Sequence, residues 1–153
     1  MTQHKHLRRL DQVWTTNPRY FITVCSHNHR RILAGEQVVE ILKREWEGSW
    51  ERHGWAVGSF VVMPDHVHFF CTDGEQGKTL ARFIGAWKEW TAKAVKRECG
   101  IDGVVWQKGF FDHLLRSSES YSEKWRYVQN NPVRAGLAAD VDDWPFQGCI
   151  HYR

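Results

Sequence analysis

Two histidines, His66 and His68, stand one residue apart in the apolar stretch VVMPDHVHFF, residues 61–70. Because alternate side chains of a β-strand point to the same face of a sheet, both imidazoles are expected on one face. Two imidazoles on a rigid strand can chelate a divalent cation, with a third ligand supplied from elsewhere in the chain. The alternative is a pair of half-buried histidines that only hydrogen-bond to their neighbours, and the spacing favours the metal site.

A tyrosine and an asparagine close to the end of the last predicted helix form the second group of candidate residues. In SSESYSEKWRYVQNNP, residues 117–132, the core-facing side chains at 3.6 residues per turn are Tyr121, Trp125 and Val128. Tyr127 points roughly 120° away from that stripe, and Asn131 follows it by about one helical turn. Taken alone, the two residues are an exposed tyrosine and a helix-ending asparagine.

The two groups make chemical sense together. A phenol is a poor nucleophile at neutral pH because its pKa lies near 10. A cation held by His66 and His68, with the Asn131 amide oxygen as third ligand, would polarise a phosphodiester for attack by Tyr127. Two imidazoles with a hard oxygen ligand suit Mg²⁺ or Mn²⁺. The residues therefore predict metal-dependent phosphoryl transfer through a phosphotyrosine link.

The elements that position these residues follow from hydrophobic periodicity and turn signals. Strands are predicted at 20–25, after a turn at Asn17-Pro18, and then at 55–63, 66–71 and 104–116, the last one broken or bulged near Gly109. Met63-Pro64-Asp65 is predicted to form the turn between the second and third strands.

Three helices separate or follow these strands, at 35–50, 78–99 and 117–131. Gly100 is placed to end the second, and Pro132 disfavours the helical conformation at the residue before it, so the third ends at about Asn131. The third helix begins either at a capping box of Ser120 and Glu123 or at Ser117 or Ser118. The order predicts an α+β fold, a ferredoxin-like β-α-β-β-α-β antiparallel sheet with an added C-terminal helix that carries the tyrosine.

Composition sets the remaining bounds. The 153 residues suit one domain over 1–153, and most of the nine Trp are expected in its core. A net charge of +3 allows nucleic-acid binding without requiring it. The four cysteines form no C-x-x-C pair, which predicts neither a zinc knuckle nor a disulfide framework. With no apolar run long enough for a membrane span and no signal peptide, the expected compartment is the cytoplasm.

Basic residues cluster at HKHLRR near the N-terminus and at CSHNHRR, residues 25–31. The second histidine pair, His27 and His29, lies past the end of a strand and is interpreted as surface. Arg30 and Arg31 beside it are candidate phosphate contacts, although a solvated face explains them equally well.

Three segments of the sequence resemble a known enzyme family. VVMPDHVHFF is similar to the His-hydrophobic-His motif of the HUH single-strand transposases and relaxases. VWQKGFFDHLLRSSESYSEKWRYVQNNPVRAGL, residues 105–137, resembles the C-terminal half of the REP-associated tyrosine transposases, and YFITVCSHNHRRIL resembles their first strand. The likeness runs from about Arg19 to Leu137, and MPDHVH followed by YVQNNPVRAGL is a specific combination.

The resemblance implies a ferredoxin-like catalytic domain that acts on single-stranded DNA hairpins. His66 and His68 would be its metal pair, Tyr127 its nucleophile, and Asn131 would fall at a polar third ligand. The implied product is a 5′-phosphotyrosine adduct with a free 3′-OH, made by a monomer or a homodimer. Lys88 and Arg116 are candidate DNA contacts that surface solvation explains equally well, while His113 is expected to be a strand histidine satisfied by its neighbours.

Two alternatives to this chemistry remain open. A metal phosphoesterase would use the histidine pair with water as nucleophile and would tolerate loss of the Tyr127 hydroxyl. A domesticated binding module would hold hairpin DNA or RNA without cutting it, with an affinity that falls steeply as salt rises. The presence of all the expected catalytic residues argues against the binding module.

Overall fold

Five antiparallel strands form one sheet in the computed structural model, which describes residues 19–75 and 77–153. The basic segment HKHLRR and the predicted turn at Asn17-Pro18 lie outside the described residues. The strands are β1 Arg19–Cys25, β2 Trp55–Val62, β3 His66–Asp73, β4 Phe111–Leu115 and β5 Gln147–Cys149.

The order of the strands across the sheet is β4-β1-β3-β2-β5, and every pairing is antiparallel. The first four strands have the arrangement of a ferredoxin-like sheet, which confirms the predicted α+β fold. The short β5 was not predicted, because three residues are too few to show a hydrophobic alternation. It pairs with β2 and covers an edge that would otherwise be open.

The helices lie where the hydrophobic periodicity predicts them, but several begin or end at other residues than predicted. They are α1 Glu36–Glu47, α2 Ser49–His53, α3 Leu80–Cys99, α4 Ser118–Gln129 and α5 Asn131–Arg134. Gly48 separates α1 from α2 within the single helix that was predicted there. Gly100 ends α3 at a φ of 65°, a left-handed conformation that glycine adopts without the Cβ penalty. Among the described residues, no helix is long and apolar enough to cross a membrane.

The tyrosine-bearing helix α4 begins at one of its three predicted caps and ends before the predicted residue. The Ser117 hydroxyl accepts a hydrogen bond from the Ser120 backbone N–H at 3.1 Å. At the other end Asn130 caps α4, and its side-chain amide donates to the Arg126 carbonyl at 2.7 Å. Pro132 lies in the first turn of α5, where its missing N–H costs no hydrogen bond, so Asn131 begins a new helical turn rather than ending α4.

One face of the sheet is covered by α1 and α3, and most of the tryptophans pack there or close by. The Trp46 and Trp87 rings stack at 5.1 Å, with Phe60 of β2 and Phe69 of β3 beneath them. The buried tryptophans are Trp46, Trp50, Trp55, Trp87, Trp106 and Trp144. The expectation that most tryptophans lie in the core therefore holds for the described residues, with Trp90 the exposed exception at 53%.

The opposite face of the sheet is covered by α4 and the C-terminal segment. Tyr121 of α4 packs on Phe70 of β3 with ring centroids 4.3 Å apart, and Phe70 packs in turn on Phe21 of β1. The Trp144 indole N–H donates to the Val62 carbonyl at 3.0 Å, which fixes the C-terminal segment to β2. This face, called the α4 face below, is the one that carries the candidate residues.

Candidate active site

His66 and His68 lie on the α4 face of β3. They have the same strand parity as Phe70, which packs under α4, whereas Val67 and Phe69 point to the other face. Their ring centroids are 4.8 Å apart and the ring planes meet at 76°. Two imidazoles thus stand side by side on one rigid strand, as the spacing in the sequence predicts.

Both histidines are held through the same ring nitrogen. Nδ1 of His66 lies 2.8 Å from Oδ1 of Asp65, and Nδ1 of His68 lies 2.8 Å from the Thr23 hydroxyl. With a hydrogen on Nδ1 donated to these oxygens, each ring keeps its lone pair on Nε2, the nitrogen that would bind a metal. A carboxylate or hydroxyl behind a metal-binding imidazole fixes the orientation and tautomer of the ring.

The environment of His68 keeps its imidazole neutral. Burial, followed by the influence of His66 and Lys124, lowers the pKa of His68 to about 3. The Phe21 ring stacks against it at 5.1 Å with an angle of 21° between the planes. A neutral imidazole is the form that coordinates a metal, so His68 is ready to bind a cation throughout the neutral pH range.

The donors around the pair fit a cation that takes part of its coordination shell from oxygen. Among residues 19–75 and 77–153, no cluster of three or more His, Cys, Asp and Glu side chains could hold a metal. A closed zinc site of Cys and His is therefore absent from the described chain. Two imidazoles with amide or substrate oxygens remain suitable for Mg²⁺ or Mn²⁺.

Tyr127 lies on the outer side of α4, with 62% of its surface exposed. The Arg134 guanidinium stacks over the phenol ring, with Cζ 3.9 Å from the ring centroid, and its Nη2 donates to the Tyr127 carbonyl at 2.7 Å. The same Nη2 also donates to Oδ1 of Asn131. Arg134 thus contacts both Tyr127 and Asn131. The two residues lie in successive helices, α4 and α5, and not in the one continuous helix that the sequence predicts.

Lys124 connects the tyrosine helix to the histidine pair. Its Nζ lies 4.7 Å from the centroid of the Phe21 ring, which stacks on His68. Lys124 precedes Tyr127 by three residues in α4, so the two side chains are neighbours on the surface of this helix.

The predicted DNA-binding residues fall into two kinds. Arg31 and Arg116 are exposed. Arg30 donates to the Val104 carbonyl at 3.0 Å, and Lys88 donates to the Gln107 and Gly109 carbonyls at 2.7 and 2.8 Å. Arg30 and Lys88 therefore each fasten the loop before β4, and burial lowers the pKa of the Lys88 ammonium. DNA contact by all four residues stays a prediction.

The remaining histidines of interest lie at the border of the α4 face. His29 follows β1 and is largely exposed, as predicted, yet its Nδ1 lies 3.8 Å from Oδ2 of Asp65, the carboxylate behind His66. His113 of β4 stands opposite Phe21 in the sheet and is exposed. Its imidazole forms no hydrogen bond with another described residue, so this histidine faces solvent instead of being satisfied by its neighbours.

Four residues of this site were not singled out from the sequence for these roles. They are Thr23, Asp65, Lys124 and Arg134. Asp65 was assigned only to a turn, although its place directly before His66 is a local signal for a carboxylate that supports an imidazole. The positions of the other three depend on strand register and on how α4 meets α5, and a single sequence gives no direct signal for either.

Comparisons with known proteins agree with this architecture. The family model described as "Transposase IS200 like" matches residues 14–131. The chain is 30% identical over 131 residues to a REP-associated tyrosine transposase of Escherichia coli K12, covering 83% of this chain and 73% of that protein.

Two solved structures share the fold. A REP-associated tyrosine transposase bound to a REP hairpin superposes with a TM-score of 0.71 at 26% identity, covering 85% of this chain and 75% of the other. A candidate transposase of Deinococcus radiodurans gives a TM-score of 0.54 at 18% identity over 74% of this chain and 90% of its own, which shows similarity of fold alone. Because the family model spans most of the 153 residues, the chain belongs to the IS200-like transposase family and is an enzyme of the HUH tyrosine transposase type.

Proposed function

We propose that this protein is a metal-dependent transposase and endonuclease that cleaves and rejoins hairpin-associated single-stranded DNA. The observation that carries the proposal is the presence of two oriented imidazoles, His66 and His68, on the sheet face covered by the helix of the exposed Tyr127. Family membership and the REP hairpin bound by a structural relative support hairpin DNA as the substrate class.

The residues proposed to hold Mg²⁺ or Mn²⁺ are His66 and His68 through Nε2, and Asn131 through Oδ1. The amide oxygen of Asn131 accepts a hydrogen bond from the cationic Arg134 with one of its two lone pairs, which leaves the other for the metal. When bound, the cation would polarise the phosphodiester and stabilise the negative charge on its non-bridging oxygens in the transition state. Asp65 and Thr23 hold the two rings in the orientation that this role needs.

Tyr127 is the proposed nucleophile. Its phenolic oxygen attacks phosphorus, the bond from phosphorus to the 3′ oxygen breaks, and the strand downstream becomes linked to the enzyme as a 5′-phosphotyrosine. The phenolic proton is lost and the 3′ oxygen takes up a proton to become a free 3′-OH. Because one phosphodiester replaces another, a 3′-OH can attack the adduct in the reverse sense and rejoin the strand.

The proposed DNA contacts are the four that the sequence predicts, Arg30, Arg31, Lys88 and Arg116. The exposed guanidinium groups of Arg31 and Arg116 are the better candidates, because the other two cations already bind backbone carbonyls. We further propose that the whole chain, 1–153, acts as one catalytic domain in the cytoplasm. The four cysteines are free thiols, in agreement with a reducing compartment.

The experiment that tests this proposal is an adduct assay. The purified protein is mixed with a pool of labelled DNA hairpins that carry single-stranded flanks, with Mn²⁺ or Mg²⁺ and with or without EDTA, and is resolved under denaturing conditions. We expect a protein–DNA band that needs the metal and disappears in Tyr127→Phe and in the double variant His66→Ala/His68→Ala. Tyr127→Phe should retain its fold and its affinity for DNA, because the phenol is exposed and its hydroxyl supports no core contact.

Other outcomes point to the alternatives. Metal-dependent cleavage that survives in Tyr127→Phe, with no adduct even at early quench times, would assign the activity to a phosphoesterase that uses water. Binding without an adduct or cleavage across the whole pool would assign the chain to hairpin binding alone.

A further inference from the structure

Lys124 extends from the tyrosine helix α4 to the ring of Phe21 in β1, beside the histidine pair. Its Nζ lies over the Phe21 ring at 4.7 Å, and the same ring stacks on His68 at 5.1 Å. Through the Phe21 ring, this lysine is therefore linked to His68 of the proposed metal pair, although it comes from another element of the fold.

The charge of Lys124 has no carboxylate partner within the part of the chain that the structure describes. None of the ion pairs formed there includes it, although the side chain is half-buried. A half-buried ammonium loses part of its hydration, and an anion is the group that compensates for that loss. Asp65, the acidic side chain at the histidine pair, is bonded to His66.

The surroundings of Lys124 favour an anion from outside the protein. Arg134 adds a second positive charge over Tyr127, and a divalent cation on His66 and His68 would add further positive charge nearby. Lys124 and Tyr127 are neighbours at (i, i+3) on α4, so an anion bound by the ammonium would lie close to the phenol.

We propose that Lys124 is a substrate-binding residue whose ammonium binds a non-bridging oxygen of the DNA phosphodiester that Tyr127 attacks. This inference rests on the proposed function, because it assigns a ligand to the same site. The lysine would hold the phosphate within reach of the phenol, with the histidine pair on the sheet side of the same phosphate. The contact of the ammonium with the Phe21 ring limits the positions that the charge can take.

The test is a methylphosphonate scan carried out in the Tyr127→Phe background, where no cleavage interferes. A hairpin recovered from the labelled pool is resynthesised with one neutral methylphosphonate at each linkage of its single-stranded flank in turn. Binding is measured for protein with Lys124 and for Lys124→Met, which keeps the apolar stem, and for Lys124→Arg, which keeps the charge. Lys96→Met, an exposed lysine of α3 on the other side of the sheet, is the matched control.

We expect one linkage at which the methylphosphonate weakens binding about tenfold in protein with Lys124, Lys124→Arg or Lys96→Met. In Lys124→Met, the same methylphosphonate should weaken binding less than about twofold, because this variant already lacks the charged hydrogen bond to the phosphate. With Tyr127 restored, that linkage should be the one at which the adduct forms. A scan in which Lys124→Met behaves like the control at every linkage overturns the inference, and so does an adduct at a different linkage.

Failure of the proposed function gives a different result. If no adduct forms with Tyr127 present, but one linkage still depends on Lys124, then the covalent chemistry is wrong and the phosphate contact stands. If the adduct forms at the same rate with Lys124→Met as with the control, and the scan shows no difference, then the covalent chemistry stands and Lys124 has no part in substrate binding.

Discussion

The hydroxyl of Thr23 lies 2.8 Å from Nδ1 of His68, across the pairing of β1 with β3. Thr23 and His68 are direct partners in the register of the two strands, so the contact depends on the backbone of the sheet and not on a mobile loop. This bond gives His68 a fixed ring orientation with Nε2 available, which a lone imidazole on an exposed strand would not have.

Replacing Thr23 with valine should weaken metal binding. Valine has nearly the shape of threonine but cannot accept the Nδ1 hydrogen, so the His68 ring loses its orientation. We expect the affinity for Mn²⁺ to fall by about 10- to 100-fold, as measured by titration calorimetry. Thr23→Ser keeps the hydroxyl and should stay close to the parent protein. An unchanged Mn²⁺ affinity in Thr23→Val would show that the hydroxyl does not orient the ligand.

The lowered pKa of His68 predicts how stability changes with pH in protein kept metal-free by EDTA. Between the ordinary value of 6.5 and the folded value of about 3, His68 takes up a proton only when the chain unfolds. Its contribution to the free energy of unfolding is therefore fully present above pH 6.5 and is lost as the pH falls toward 3. The slope from this one group is at most about 1.4 kcal/mol per pH unit.

Urea unfolding at a series of pH values between neutral and acid measures this slope. His68→Gln, which does not titrate, should show a shallower loss of stability than the parent. Parallel curves for the parent and His68→Gln would mean that His68 titrates normally in the folded protein.

Arg134 should affect the rate of the reaction more than the binding of DNA. Its guanidinium stacks on Tyr127 and bonds to both the Tyr127 carbonyl and the Asn131 amide, so Arg134→Ala releases the proposed nucleophile and third ligand together. We expect adduct formation at saturating DNA to slow by about 10- to 100-fold. Arg134→Lys keeps the charge without the planar guanidinium, so its rate of adduct formation should lie between those of the parent protein and Arg134→Ala.

The control for Arg134 is Arg126→Ala, which removes another exposed arginine of the same helix. It should leave the rate at saturating DNA unchanged. If Arg134→Ala instead weakens DNA binding but keeps the parent rate of adduct formation at saturating DNA, then Arg134 is a DNA contact and does not position Tyr127.

The fold could be predicted because its main elements carry strong periodic signals. The stripe of α3, from Phe83 to Val95, and the β-rich runs of β1, β2 and β3 are buried as the pattern requires. The strand β5 and the short helix α5 could not be predicted in this way. The first is too short to show a period, and the second depends on Pro132 starting a new helical turn instead of only ending the previous one.

Within the site, the sequence could indicate chemical types and spacing but not contacts. His66 and His68 share a face because a strand has a period of two, and Tyr127 is exposed because it lies off the stripe of α4. The contacts made by Thr23 and Lys124 join elements that are distant in the chain. The contact made by Arg134 joins α4 and α5, which meet at a turn that was not predicted. Their identification required the register of β1 with β3 and the packing of α4 on the sheet.

A last prediction concerns the way in which the C-terminal segment is fastened to the sheet. A Cβ at Gly58 of β2 would lie 2.5 Å from Cε2 of Tyr152, whose ring is held by the Arg19 guanidinium at 4.3 Å, with Tyr121 of α4 stacked on the same guanidinium at 4.3 Å. Gly58→Ala must therefore displace Tyr152, and we expect a loss of about 1–3 kcal/mol in the free energy of unfolding.

The control is Gly85→Ala, at an exposed position of α3 with nothing within 4 Å, which should raise the free energy of unfolding by about 0.5–1 kcal/mol. Thermal unfolding of the two variants, and of Gly58→Ala combined with Tyr152→Ala, separates the causes. If the clash is with Tyr152, Gly58→Ala will cost less once that ring is gone, whereas an equal cost in both backgrounds would place the strain in β2 itself.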